Sequence, residues 1–224
     1  MPEIDVHRMF DRVAHLYDTG WLQRALYVAV QDRALADLRA MRPRSVLDVG
    51  CGTGIFADRL ERELDPAAVA GCDLSAGMLA QAAARTCRVG WVRGDSARLP
   101  IRSGGLDAVV CTQAFHFFDQ PAAWAEFLRV LAPGGHALVG MINPRSAAGS
   151  RRLTRLVAAT SNAPAHWPTG PELRMLATDA GFEVTAQHEV EWRFGRIMPL
   201  ILTVGRAPAA SAPSPTSQDP PRPV

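Results

Sequence analysis

The chain has 224 residues, a formal net charge of +2, and a composition that is 48% hydrophobic and 21% charged. These values are typical of one globular domain that can bury a sizeable core. All 24 basic residues are arginine and they are scattered along the chain, which argues against a nucleic-acid partner.

The four cysteines, Cys51, Cys72, Cys87 and Cys111, contain no CxxC pair. This spacing predicts neither a metal site nor a secreted disulfide framework. The first residues are charged and lack the apolar core of a signal peptide. No window approaches the ~18 apolar residues of a membrane span. We therefore expect a cytoplasmic protein without an integral membrane segment.

Short apolar runs alternate with helical periodicities over the first two thirds of the chain. This alternation predicts βαβ units and a parallel sheet. Gly134 and Gly135 are expected to turn the chain from a helix into the fifth of these strands. The five predicted strands lie at 45–49, 68–72, 89–92, 106–111 and 136–142.

The last third of the predicted domain has a different pattern. Thr169 and Glu172 form a capping box in sequence, and the helix that they open is expected to stop at Gly181. Two strand-like segments follow at 183–192 and 197–204. They are close enough in the chain to be antiparallel neighbours.

Three segments lie outside this alternation of strands and helices. Residues 1–40 are helical in pattern and are predicted to form an amino-terminal helical cap. Residues 144–168 are predicted to be a partly helical insertion over the site. Residues 207–224 are rich in proline, serine and alanine, which predicts a disordered tail after a single domain at 1–206.

A glycine-rich turn is the most informative stretch. Gly50, Gly52 and Gly54 follow a buried strand and open a helix. Without Cβ atoms they permit a tight turn, and we expect free backbone amides there that point at a ligand. A dinucleotide site would need its third glycine at position 55, which is Ile55. A nicotinamide cofactor is therefore disfavoured.

Acidic residues occur at the ends of three predicted strands. Asp48 precedes the glycine turn. Asp73 ends the second strand, where a carboxylate can accept hydrogen bonds from both hydroxyls of a ribose. Asp95 follows the third strand, where a purine amino group could be bound. Because the ends of parallel strands share one edge of a sheet, these residues predict a nucleoside site.

The motifs VLDVGCGTG, GCDLS, GDSARLP, LDAVVCTQAFHFF and RVLAPGG together resemble the class I S-adenosylmethionine-dependent methyltransferases. The likeness is closest to the group around the ubiquinone/menaquinone methyltransferases, and it covers residues 45–142. Phe10–Ala14 with Tyr17 and Asp18 also resembles that group's amino-terminal element. The resemblance implies an α/β, Rossmann-like, seven-stranded and mostly parallel sheet. Its last strand would be antiparallel, with helices on both faces.

The resemblance also implies contacts with the donor, S-adenosyl-L-methionine. Asp73 would bind the ribose hydroxyls, and Leu74 would pack on the adenine. The other expected donor-binding residues are Asp48 and the glycines at the loop, Asp95 at the adenine amino group, Ser96 through its backbone, and Gln113 beside the methionine moiety.

The implied reaction is methyl transfer to a small molecule. Phe115, Phe117 and Phe118 favour an apolar or aromatic acceptor, such as a quinone-like compound, a lipid or a secondary metabolite. A donor-binding regulatory protein on the same fold remains an alternative. The oligomeric state cannot be predicted.

His116 lies just past the predicted fourth strand, among three phenylalanines. It could be a core residue, a metal ligand or a proton acceptor. No second histidine or cysteine lies at ligand spacing, so no metal is predicted. A catalytic or acceptor-orienting histidine and a packed loop histidine both remain possible. His116 and Tyr17, which could close the pocket from the cap, are the candidate catalytic residues.

Overall fold

The computed structural model describes residues 21–161, 165–191 and 199–210. Tyr17 and the first half of the predicted cap lie outside the described residues, as does most of the predicted tail.

Seven strands form one sheet in the order β3-β2-β1-β4-β5-β7-β6. The first five strands are parallel neighbours, and β7 runs antiparallel to both β5 and β6. The predicted fold class is confirmed. The strands are β1 Ser45–Val49, β2 Ala68–Asp73, β3 Gly90–Arg93, β4 Leu106–Thr112, β5 Leu131–Ile142, β6 Glu183–Val190 and β7 Leu200–Arg206.

Several of the described helices begin at residues whose side chains accept hydrogen bonds from free backbone amides. Ser75 accepts a hydrogen bond from the Met78 amide, and Thr169 forms the predicted capping box with Glu172. The helices are α1 Trp21–Met41, α2 Ile55–Leu64, α3 Ala76–Arg85, α4 Gln120–Val130, α5 Ala147–Ser161 and α6 Gly170–Asp179, with a 3-10 turn at Phe115–Phe117.

The sheet separates two apolar cores, one on each face. On one face, Val30 and Leu35 of α1 and Phe56 and Leu60 of α2 pack on the strands. On the other face, α4 and α6 contribute the buried side chains of Trp124, Phe127 and Leu173. Helices therefore cover both faces, which explains why the central strands are apolar on both sides.

The fifth strand differs from the prediction because it begins at Leu131 rather than at His136. Leu106 pairs with Leu131 and Ala108 pairs with His136, so the intervening residues of β5 bulge out of the ladder. Gly134 has φ +78, which a bulge readily accommodates. The two glycines thus lie within an irregular strand, after α4 has ended at Val130.

Helix α5 occupies most of the predicted insertion at 144–168. It begins soon after the carboxyl end of β5. No helix in the described part of the chain has both the length and the apolar character needed to cross a membrane.

Candidate active site

The chain order of the strands reverses beside β1, which lies between β2 and β4. In open α/β sheets, ligands bind outside the carboxyl ends of the strands at such a point. The glycine loop follows β1, Asp73 ends β2, and Gln113 follows β4. The fold therefore brings these three predicted site elements to one edge of the sheet.

Gly50 places the glycine loop directly against the loop that follows β4. Its φ is +71, and a Cβ atom at this position would lie 2.4 Å from the Cβ of Ala114 and 3.1 Å from the Phe118 ring. Only glycine allows both the left-handed backbone and this approach. The predicted donor loop and the predicted acceptor loop are consequently in contact.

The glycine amides are not free, so that expectation is wrong. The amide of Gly50 donates to the Cys72 carbonyl at 2.8 Å, and the amide of Gly54 donates to the Cys51 carbonyl at 3.0 Å. The Gly52 amide donates to Asp73 Oδ2 at 2.8 Å. The sharp turn points these amide N–H groups at acceptors within the protein, so they do not point into open space. A Cβ at Gly52 would meet no atom of the described residues within 4 Å.

Asp73 is bound at both of its carboxylate oxygens. Oδ2 accepts the hydrogen bond from Gly52, and Oδ1 accepts one from the Ser75 amide at 2.9 Å. This arrangement fixes the carboxylate between the glycine loop and the start of α3. A carboxylate oxygen has more than one lone pair, so Asp73 can still accept hydrogen bonds from ribose hydroxyls.

Leu74, expected at the adenine face, is 40% exposed although it is large and apolar. Asp95 is exposed at the end of β3, and its Oδ1 accepts a hydrogen bond from the Ala97 amide at 2.9 Å. Ser96 is buried beside it. An apolar surface and an acidic residue thus end two adjacent strands, as a nucleoside site requires.

Asp48 is a buried carboxyl group at the end of β1. The pKa of Asp48 is raised to about 8: burial is the largest cause, the nearby charge of Asp73 also raises it, and a hydrogen bond from the Ala57 amide lowers it. At neutral pH the group is therefore mostly protonated. Asp48 can donate a hydrogen bond in this state.

Three buried thiols lie near these two carboxyl groups. Burial is the largest cause that raises the pKa of each thiol, and the charges of Asp48 and Asp73 add to it. The thiols therefore remain neutral and act as small apolar groups. They belong to Cys51, Cys72 and Cys111, all unpaired by disulfides. No cluster of three or more potential metal-ligating side chains occurs among the described residues.

Gln113 is held in an unusual conformation. Its φ is +59, in the left-handed region that non-glycine residues rarely adopt, and its amide donates to the Gly140 carbonyl at 2.8 Å. The side chain is 6% exposed, and its Nε2 has no hydrogen-bond partner among the described residues. A buried amide without a partner marks a place where a polar ligand group would be stabilised.

His116 is packed between aromatic rings. It stacks on Trp167 with ring centroids 4.2 Å apart and an interplanar angle of 17°, and its centroid lies 4.1 Å from that of Phe117. Burial lowers the pKa of His116 to about 3. Its Nδ1 has no partner among the described residues. The ring is therefore neutral at physiological pH.

Trp167 is a site residue that the sequence did not reveal. It is 3% exposed, and its carbonyl accepts a hydrogen bond from Ser150 Oγ of α5 at 2.6 Å. The preceding residue, His166, donates its amide to the His116 carbonyl at 2.8 Å and accepts a hydrogen bond from Gln120 at 2.7 Å. The segment between α5 and α6 is thus attached to the loop after β4. No local pattern predicts this contact, because 51 residues separate the two rings in the chain.

These residues fit S-adenosylmethionine in chemical terms. Space beside Gly52 adjoins the Asp73 carboxylate, an exposed apolar side chain follows at Leu74, and an unpartnered amide lies at Gln113. Asp73 would hold the ribose, Leu74 the adenine and Gln113 the methionine moiety. The strand order and the position of this site are typical of the Rossmann-like methyltransferase fold.

Comparisons with known proteins agree with this class. Residues 46–135 match the family model described as "Methyltransferase domain". A demethylmenaquinone methyltransferase from Deinococcus radiodurans is 38% identical over 144 residues, which cover 60% of this chain and 58% of that protein. A malonyl-[acyl-carrier protein] O-methyltransferase from Hahella chejuensis is 34% identical over 136 residues, covering 59% and 48% respectively. The chain thus spans about half the length of the curated relatives that it matches.

A solved structure also matches the fold. The methyltransferase from Haloferax volcanii, determined in complex with its Trm112 activator, aligns with a TM-score of 0.78 at 20% identity, covering 93% of this chain and 100% of that chain. Residues 46–135 therefore form a methyltransferase domain, and the chain is similar to class I S-adenosylmethionine-dependent methyltransferases of the quinone methyltransferase-like group. These comparisons support the predicted family and its cofactor, S-adenosylmethionine.

Proposed function

We propose that this protein transfers the methyl group of S-adenosylmethionine to a small-molecule acceptor that is apolar or aromatic next to its reacting atom. The carrying observation is the contact between Gly50 and Ala114, which sets the donor loop against the loop that bears Phe115, Phe117 and Phe118. Phe115 is fully buried in the core, so an acceptor that packs on the half-buried Phe117 and Phe118 would lie beside the donor.

The bound donor would supply an electrophilic methyl group, and the protein would contribute mainly position. Holding two reactants in line can contribute about 7–11 kcal/mol in favourable cases. In this proposal Asp73 and Leu74 fix the nucleoside, while Gln113 binds a polar group through its unpartnered Nε2. The 3-10 turn at Phe115–Phe117, together with Phe118, would exclude water from the acceptor.

His116 in this proposal orients the acceptor loop rather than removing a proton. With a pKa of about 3, its ring is a weak proton acceptor at neutral pH. Its ring stacks on Trp167, and its carbonyl accepts a hydrogen bond from the His166 amide. Both contacts would hold the loop after β4 in place beside the acceptor. The site is thus best suited to a nucleophile that needs no strong base from the protein.

The acceptor classes of the two relatives differ. By their names, one methylates demethylmenaquinone and the other the malonyl group of an acyl-carrier protein. The turn after β4 favours the first type of acceptor for this protein, since three phenylalanines lie within its four residues 115–118 and two of them are partly exposed. In this proposal Tyr17 closes the acceptor pocket from the amino-terminal cap. We also propose that the protein is located in the cytoplasm.

The proposal is tested by identifying the small molecules that co-purify with the protein. We expect mass spectrometry of the denatured protein to detect S-adenosylmethionine or S-adenosylhomocysteine. A panel of quinols, phenols, fatty acids and amines is then incubated with donor labelled in its methyl group. Transfer to an aromatic or apolar member supports the proposal.

Two results would contradict it. Calorimetric binding of S-adenosylhomocysteine without transfer to any acceptor would favour a donor-binding regulatory protein. Transfer restricted to small hydrophilic amines would retain the reaction but overturn the apolar acceptor.

A further inference from the structure

Helix α5 has one buried face and one basic face. Ser150 is buried and Leu153 is half-buried toward the protein, whereas Arg151, Arg152 and Arg155 are exposed. We define these three arginines as the basic face of α5. Arg151 and Arg155 are four positions apart, so they are neighbours on the helix surface.

The charge of this face is not balanced within the protein. Helix α5 contains three arginines and no acidic residue. None of the three forms an ion pair with another residue in the described ranges. Seven other arginines do pair with carboxylates: Arg33, Arg39, Arg59, Arg62, Arg88, Arg129 and Arg145.

This arrangement does not serve the stability of the helix. Like charges four positions apart destabilise a helix by about 0.2–0.5 kcal/mol. No acidic residue in the first turn compensates for them. A feature that breaks a local rule without compensation is expected where function requires it.

Helix α5 contacts the acceptor side of the site through the face opposite its arginines. Ser150, on this buried face, donates to the Trp167 carbonyl at 2.6 Å, and Trp167 stacks on His116. A partner bound to α5 would therefore be connected to the loop that follows β4 through Ser150 and Trp167.

We propose that the basic face of α5 docks an acidic protein beside the active site. Arginine guanidinium groups pair with carboxylates through two parallel hydrogen bonds, which suits an acidic protein surface. Leu156, which follows Arg155, is 60% exposed and would supply an apolar contact within the same patch.

Other polyanions fit this face less well. Anionic membranes are recognised by clusters of roughly 4–8 basic residues, and this face has three. Nucleic acid would require a longer track of basic residues. The seven arginines that form ion pairs lie outside α5, and their charges are neutralised, so they do not extend the basic face. Charge complementarity therefore selects a small acidic protein surface.

The test uses a fluorescent helical peptide with a row of glutamates and an adjacent leucine. Its affinity for the full chain is measured by fluorescence anisotropy over a range of salt concentrations. In the variant Arg151→Gln/Arg152→Gln/Arg155→Gln, we expect affinity to fall by roughly tenfold or more, because three charge-assisted contacts are lost. Glutamine has nearly the helix propensity of arginine, so α5 should remain folded.

The matched control is Arg62→Gln/Arg88→Gln/Arg102→Gln, which removes the same charge from other exposed positions. Its affinity should change by less than about threefold, since these arginines lie outside α5 and would not contact the peptide. An equal loss in both variants, or no binding by the wild type, would overturn the proposal. Tighter binding to phosphatidylcholine vesicles that contain phosphatidylglycerol would also overturn it. The binding measurement does not depend on methyl transfer, so it separates this proposal from the proposed function.

Discussion

Asp73 accepts a hydrogen bond from the backbone amide of Gly52 at 2.8 Å, which joins the end of β2 to the turn that follows β1. The same carboxylate also holds the Ser75 amide at 2.9 Å. One side chain thus fixes the glycine loop and the start of α3 before a donor binds. The free energy of donor binding need not include the cost of ordering this loop.

We expect Asp73→Ala to weaken S-adenosylhomocysteine binding by about 1–3 kcal/mol, because donor hydroxyls would lose their acceptor. Isothermal titration calorimetry measures this. Asp107→Ala is the matched control, since Asp107 accepts hydrogen bonds from two backbone amides at the opposite end of β1. Both variants should lose stability, and only Asp73→Ala should lose donor affinity. Equal affinities would remove Asp73 from the donor site.

Gly52→Ala should reduce donor affinity beyond its effect on stability. Gly52 has φ +54, and a Cβ added there would meet no atom of the described residues within 4 Å. The Cβ would therefore project into the space assigned to the donor. Gly104→Ala provides the control, with φ +64 and the same open surroundings. Each change should cost about 1–2 kcal/mol of unfolding free energy. Normal donor affinity in Gly52→Ala would place the donor elsewhere.

Leu74→Ser should weaken donor binding without altering the melting temperature much. Leu74 is 40% exposed, so its replacement removes little buried surface from the folded protein. If the adenine covers it, the loss should be on the order of 1–2 kcal/mol of binding free energy. Val28→Ser, at a residue of 43% exposure on α1, is the control. A similar donor affinity for both variants would contradict the adenine assignment.

Asp48 should make the protein less stable as the pH rises. Its pKa is about 8 in the folded state and about 3.9 when unfolded. The folded state therefore binds more protons in this window. Its contribution is complete below the unfolded pKa and falls by roughly 1.4 kcal/mol per pH unit until about pH 8.

Asp48→Asn removes this titration and keeps an oxygen for the Ala57 amide. Differential scanning calorimetry should show the variant gaining on the wild type between about pH 5 and pH 8.5. Asp179→Asn, at an exposed position on α6, is the control and should show no such trend. Parallel pH profiles for Asp48→Asn and wild type would refute the buried, protonated carboxyl.

His116 should have the opposite pH dependence. Its pKa is about 3 when folded and about 6.5 when unfolded, so the unfolded state binds more protons between these values. The contribution is complete above about pH 6.5 and is lost as the pH falls toward 3, by roughly 1.4 kcal/mol per unit. His116→Phe keeps a ring against Trp167 and should resist acid better than the wild type.

Chemical denaturation at about pH 7.5 and pH 5 measures this difference. His166→Gln, at an exposed side chain, should follow the wild type. If His116→Phe also follows the wild type, the histidine ring titrates in the folded protein near its unfolded pKa and can take part in proton transfer near neutral pH.

Local signals predicted the donor half of the site better than the acceptor half. Gly50 to Gly54 and Asp73 lie in short motifs whose conformation depends on neighbouring residues, and the parallel sheet aligns the strand ends. The directions of the glycine amides were not predictable, because they depend on how the turn bonds to Cys72 and Asp73.

The acceptor half depends on contacts between distant parts of the chain. The stack of His116 on Trp167 requires α5 and the segment after it to return to β4. The low pKa of His116 follows from that burial, and the raised pKa of Asp48 follows from its burial and from the nearby charge of Asp73. Neither environment is encoded within a few residues of the group that it affects.

The close approach of Gly50 to Ala114 limits how acceptor preference can be redesigned. Any side chain larger than alanine at position 114 would push on the turn that is predicted to bind the donor. Library mutagenesis aimed at new acceptors should therefore spare this pair and vary α5 and residues 165–168. Variants with altered selectivity but intact donor affinity should come mainly from those segments.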